Sequence, residues 1–215
     1  MKSSRGLTRN PLRVYVEYDL INEDGRVVKR GRQLSHSFLI YWIKFIYLMI
    51  NSCYEYNPPY ITAVDTGGTS RTIPAAGSSY FWRVAPAFRA FVGDTYRGLV
   101  VGSGSTPNSS GTYKLESLIP HGTSAGQLQY GDSSTTDIQE ISTGVFETSY
   151  YRPFLNASGG DVVVRECGVY VHMYDKDGVP RYFCALRDLL NPPNGVVVPN
   201  NSTLVVRYRF RITIS

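Results

Sequence analysis

From Asn57 onward the chain is a succession of short runs rich in Val, Ile, Tyr and Phe, cut every few residues by Gly, Pro, Ser and Asn. Such punctuation leaves little room for long helices and suits strands joined by tight turns. It predicts strands over 60–64, 80–84, 88–92, 98–101, 145–151, 162–174, 181–186 and 203–214. At 215 residues the chain is long enough to bury one core. The expected architecture is therefore all-β: one β-sandwich or jelly-roll-like domain over 14–215, with a single buried α-helix near the N-terminus. The Gly-, Ser- and Thr-rich stretch 102–136 reads as long surface loops.

Two hairpins can be placed by residue. The run 14–20 alternates apolar and polar side chains, Asn22-Glu23-Asp24-Gly25 supplies turn chemistry, and 26–30 returns. Further on, 162–174 returns as 181–186 across Asp175-Lys176-Asp177-Gly178. Read as a two-residue loop at Lys176-Asp177, that turn pairs 166 with 187 and sets Glu166 beside Arg187 on one face, the geometry of a buried ion pair. In the same register Cys167 and Cys184 lie diagonally, poor geometry for a disulfide, so free thiols are expected. The three cysteines show neither C-x-x-C nor metal-like spacing.

The run 38–50 is apolar at every position but Lys44. Ser35 and Ser37 can cap a helix over 36–52. Thirteen residues give roughly 20 Å of helix, too short for a hydrocarbon core of about 30 Å, so no membrane span is expected. A helix apolar all round should be buried all round, inside its own domain or under a neighbouring subunit. Trp42, Ile46 and Tyr47 are the candidate oligomer-interface residues.

Only 18% of the residues are charged, while 17 are Tyr, a balance suited to a surface that meets other protein. The net charge of +5 permits contact with nucleic acid without demanding it. Lys2, Arg5, Arg9 and Arg13 fall in the first 13 residues with no acid among them and read as a flexible basic arm. In the last strand Leu204, Val206, Tyr208, Phe210, Ile212 and Ile214 point to the core, while Arg207, Arg209 and Arg211 form a stripe on the other face. Arg5, Arg9, Arg13 and that stripe are the candidates for contact with packaged nucleic acid or an acidic partner. Solvated charge is the plain alternative.

Catalytic chemistry is not legible. Gly102-Ser103-Gly104-Ser105 has the look of a phosphate cradle but lacks the Gly-Lys-Ser/Thr ending and a following helix, so it reads as a tight polar turn. His36, His121 and His172 are far apart with no carboxylate at ligand spacing. No enzyme activity, metal or cofactor is expected. Asn108, Asn156 and Asn201 open Asn-x-Ser/Thr sequons in predicted loops. No apolar run follows the basic N-terminal residues, so assembly in a cytoplasm is expected.

The order of motifs over about 98–215 resembles a family of small tail, collar or fibre proteins of tailed viruses. It is carried by Leu99 to Pro107 with Tyr113-Lys114-Leu115, then Glu166-Cys167-Gly168-Val169-Tyr170, Leu186-Arg187-Asp188-Leu189-Leu190 and a closing strand over 204–214. Residues 57–97 have no counterpart and read as an insertion. The resemblance implies a non-enzymatic virion structural protein at a tail, collar, vertex or capsid surface, in a homo-oligomer with other virion proteins. It also carries the same Glu and Arg, which points to a structural pair. Two other readings stand beside it: a host-glycan-binding module in which Tyr80, Trp82 and Tyr130 stack on sugars, and a nucleic-acid-binding protein.

Overall fold

The alternating tail becomes the centre of the larger sheet. In the computed structural model, which describes residues 12–35, 40–50, 60–75 and 87–214, strand β14 (Thr203–Thr213) lies antiparallel between β1 (Leu12–Ile21) and β9 (Val145–Leu155). Strand β2 (Val27–Leu34) adds outside β1. Three short strands, β6 (Gln129–Tyr130), β7 (Ser134–Thr135) and β8 (Gln139–Ser142), zip in turn along the far edge of β9, making seven strands. Part of the stretch expected as loop is thus sheet, because β9 is long enough to template it.

A second sheet holds β5 (Gly98–Gly102), β11 (Glu166–Tyr174) and β12 (Pro180–Leu189), with β11 in the middle. The hairpin β3 (Tyr60–Val64) and β4 (Ser70–Pro74) and the pair β10 (Val162–Val164) and β13 (Val196–Val198) complete the strands. Val16, Tyr18, Val206 and Tyr208 of the large sheet and Leu99, Val169, Val171 and Leu186 of the small one share one core. The class is all-β and antiparallel. The three-stranded sheet is narrower than the second sheet of a jelly roll.

Several expectations need correction. Arg13 is not in a free arm: it lies in β1, paired with Arg211. No strand forms over 88–92, beyond a bridge from Ala87 to His172. There the backbone bonds to side chains instead, Ala90 N to Ser133 Oγ and Phe91 N to Asp94 Oδ2. The expected strand 80–84, His36, Ser37 and Cys53 lie outside the described residues. Ser35 instead ties β1 to β12: its hydroxyl donates to Asp188 Oδ2 at 2.8 Å and its amide to Val14 O. Residues 60–75 join the domain, with Ile61, Ala63, Ile73 and Ala75 in the common core.

The helix α1 (Ile40–Ile50) is not wrapped by its own domain. It buries one face only. Phe45 and Leu48 are buried, Phe45 edge-on to Phe183, and Trp42 stacks on Phe210 at 6.2 Å. Ile40, Ile43 and Ile50 are 55%, 61% and 78% exposed. A helix lying against one side of a sandwich can turn a single stripe inward, so an all-apolar sequence leaves the rest uncovered.

Candidate functional site

Three hairpin turns use one device. Asn22, Asp65 and Asp175 each open a turn in which the residue four further on bonds back to the side chain: Arg26 N to Asn22 Oδ1, Thr69 N to Asp65 Oδ1 and Val179 N to Asp175 Oδ1. Gly25, Gly68 and Gly178 hold the left-handed position three residues on, with φ of 77°, 86° and 73°. These are three-residue loops closing on a glycine bulge, so the two-residue loop expected at Lys176-Asp177 is a three-residue one. In two of them an arginine finishes the cluster: Arg71 Nε reaches Asp65 at 2.7 Å and Arg181 Nε reaches Asp175 at 2.8 Å. Burial pulls both carboxyls up, but these amides and arginines outweigh it and hold them below the usual range.

The longer turn shifts the register of β11 and β12 by one. A bulge between Val169 and Tyr170, with Ala185 as the extra residue, shifts it by one more. Glu166 therefore sits opposite Leu189 and not Arg187. Side chains alternate with period two, so a shift of two returns Glu166 and Arg187 to the same face as diagonal neighbours. Arg187 Nε meets Glu166 Oε2 at 2.6 Å, with both side chains buried. Neither Cys167 nor Cys184 is bridged, and burial pushes both thiols up, which leaves them protonated and inert.

The cluster around that pair explains the glycine-rich loop. Glu166 accepts from Gly104 N, Ser117 N and Glu116 N, while Glu116 accepts from Ser105 N, Thr106 N and Thr106 Oγ1. Amides that look ready for a phosphate are filled by the chain's own carboxylates. The glycines make room: a Cβ on Gly102 or Gly104 would lie 2.5 Å from Glu166 Oε1. Arg187 Nη1 also donates to Asn108 Oδ1 as Asn108 Nδ2 donates to Arg187 O. Arg187 Nη2, 3.8 Å from Glu116, is left without a hydrogen bond.

The arginine stripe is largely answered within its own sheet. Arg207 meets Asp19 at 2.9 Å, Arg209 bridges Glu17 and Glu147, and Arg211 reaches Glu147 at 2.6 Å. Burial raises Glu147, yet the two arginines outweigh it and hold its carboxyl low. From β2, Arg32 adds a contact to Glu17 and Arg30 one to Asp19. The sequence shows the stripe but not its partners, which come from strands far away in the chain.

Of the expected interface residues, Trp42 is committed to Phe88 and Phe210, Ile46 is half-buried and Tyr47 is exposed. Tyr130 cannot stack on a sugar: it is buried, its hydroxyl donating to Ile119 O at 2.6 Å. Tyr80, Trp82, Arg5 and Arg9 lie outside the described residues. His121 Nδ1 accepts from Tyr130 N, and His172 packs among Tyr174 and Tyr182. Asn156 is buried with its amide on Gly160 O and Val198 O, and the Asn108 amide is engaged as above, so Asn201 is the sequon asparagine left in an exposed turn. Among the described residues no group of three His, Cys, Asp or Glu could hold a metal, and no helix is long and apolar enough to cross a membrane.

Sequence reasoning missed Arg152. It is wholly buried on β9, and its guanidinium donates to the carbonyls of Phe91, Asp94, Leu99 and Gly131 at 2.7–2.9 Å. It ties the 91–99 segment to the large sheet. Position 152 shares the core-facing parity of Tyr150 and Phe154, so an arginine among apolar partners was the available signal.

No family model, curated protein or solved structure matches this chain.

Proposed function

We propose that this chain is a non-enzymatic structural subunit of a symmetric assembly, a virion component by its sequence resemblance, and that copies meet through the exposed face of α1. One observation carries the reading: Ile40, Ile43, Tyr47 and Ile50, at helical spacing, form an apolar stripe 44–78% exposed. The occupant is a second copy, because the stripe carries no charge. Two identical surfaces can then meet without like-charge repulsion. Lys44, the charged residue of the helix, donates to Thr62 O at 2.5 Å.

Eleven residues of helix are about 16 Å long and 10 Å wide, far below the roughly 800 Å² per partner of a standard interface. Pairwise association through this stripe is weak, and stability comes from repetition around a closed ring. Light scattering over a concentration series tests the reading. The wild type should grow beyond a monomer as concentration rises, and Ile43→Glu should stay a folded monomer. Trp42→Glu is the wrong probe, since Trp42 packs inside its own subunit. A wild type that stays monomeric at every concentration, alone and with other virion proteins, overturns the proposal.

A further inference from the structure

The positive charge of this chain is concentrated. On the outer face of the large sheet, the odd-numbered positions of β1 and β14 align with even-numbered positions of β2 and odd-numbered positions of β9. That face carries Arg13, Arg30, Arg32, Arg207, Arg209 and Arg211 against Glu17, Asp19 and Glu147, a balance of +3. Residues 1–11 add Lys2, Arg5 and Arg9 with no acid. Of the chain's 22 basic and 17 acidic residues, nine basic and three acidic are thus accounted for, which leaves 13 against 14 elsewhere. The whole excess lies on one sheet face and in the segment that leads into it at Leu12.

The face is also ordered. The Arg32 guanidinium lies 3.9 Å from the Tyr15 ring centroid and that of Arg211 lies 5.7 Å from it, so two cations share one tyrosine ring. Arg207, Arg209 and Arg211 are spent on carboxylates, while Arg30 and Arg32 each keep one contact, to Asp19 and Glu17. Arg13 lies directly across from Arg211 with no ion pair within 4.0 Å among the described residues, and Arg30 is 74% exposed. Like charges on facing positions are destabilising; Glu147 answers Arg211, which leaves Arg13 to be relieved by an external anion.

We infer that this face, centred on Arg13, Arg30 and Arg32, docks the phosphodiester backbone of a nucleic acid without reading its bases. Backbone and not bases, because the surface is a broad sheet with no element to enter a groove among the described residues, and Tyr15 is already covered by Arg32. The inference goes beyond the assembly reading and does not rest on it, since α1 packs on the opposite, core side of the sheet through Trp42 and Phe210.

The test is binding of the full chain to labelled single-stranded and duplex oligonucleotides across a salt series. Binding should be independent of sequence, with log affinity falling linearly against log salt. The triple variant Arg13→Gln/Arg30→Gln/Arg32→Gln should lower that slope by about one per arginine that touches a phosphate. A control with the same loss of charge, Arg89→Gln/Lys114→Gln/Lys176→Gln, should leave it nearly unchanged. Preference for single strand or duplex assigns the form of the polymer. An equal loss in the control, no binding at low salt, or tighter binding to polyglutamate than to oligonucleotide would each overturn the inference. Ile43→Glu should bind as wild type does, so a failure here is distinguishable from a failure of the assembly reading.

Discussion

Glu166 with Arg187 and Glu147 with Arg209 and Arg211 are built from the same residue types, yet they hold different positions in the molecule. The first pair is buried, and its carboxylate also satisfies three backbone amides of the loop that covers it. The second cluster sits on the water-facing side of a sheet, its arginines about a quarter exposed and its carboxylate bonded to guanidinium groups. The comparison shows that an ion pair's role follows from what else the charge must satisfy. Inside, the carboxylate organises a loop. Outside, it offsets repulsion among arginines that face one another across strands.

The largest effect should come from the buried side. Arg187→Met leaves Glu166 buried with its three amides but without a counter-charge, and breaking such a pair costs about 3–5 kcal/mol. Glu166→Leu should cost more, because it also orphans Gly104, Glu116 and Ser117 amides, each worth about 1–3 kcal/mol when buried and unpaired. Urea titration of both variants checks the order. If Arg187→Met proves the worse of the two, the carboxylate is a counter-ion and the loop-organising role fails.

Arg152→Lys comes next. Lysine presents a compact ammonium and cannot span four carbonyls as the guanidinium fork does. A loss of about 2–4 kcal/mol is expected, from two or so unmet carbonyls. Hydrogen exchange should rise first in 91–99. An unchanged melting midpoint would mean that water takes the place of the lost donors at no cost.

The turns give an intermediate case. Asp65 and Asp175 titrate lower folded than unfolded, so on acidification the unfolded chain takes up protons first. The stabilisation they supply is fully present above about pH 4–5 and is lost as pH falls through their folded values. Asp65→Asn and Asp175→Asn should therefore each flatten the acid limb of the stability–pH curve, costing about 1 kcal/mol at neutral pH. A wild-type curve that is flat below pH 5 would remove the argument.

How much was legible follows from these same residues. Alternation found β1 and β14, because a half-buried strand shows period two, whereas β9, β11 and β12 were legible as β-prone runs between turn residues. The pairing of Glu166 with Arg187 was reached through a wrong register: the turn and the Ala185 bulge each moved it by one, and two errors of one preserve the face. Neither shift has a local signal strong enough to read, since Asp-x-Asp-Gly fits both a two- and a three-residue loop. The carboxylates that fill the Gly102–Gly104 cradle, the Glu147 bridge and the Arg152 cage are contacts between segments tens of residues apart, which one sequence does not encode locally. The uncovered side of α1 was invisible for the opposite reason: an apolar residue looks the same whether its partner is in the same chain or in the next.

The smallest expected effect sharpens the opening comparison most. Arg209 contacts both Glu17 and Glu147. Burial alone would lower its pKa, but the hydrogen bonds and charges of the two carboxylates raise it instead. Its side chain remains 27% exposed, so solvent screens the attraction, and Arg209→Gln should cost under about 1 kcal/mol. That cost should shrink further as salt rises, because the screening length falls from about 8 Å at physiological ionic strength to about 3 Å at 1 M. The Arg187→Met loss should persist under the same salt, its pair being shielded from solvent ions. Thermal melts of both variants in low and high salt separate the two regimes. Equal, salt-insensitive losses would mean that the outer face is covered in solution, with its arginines as dry as Arg187, and the distinction between the two clusters would vanish.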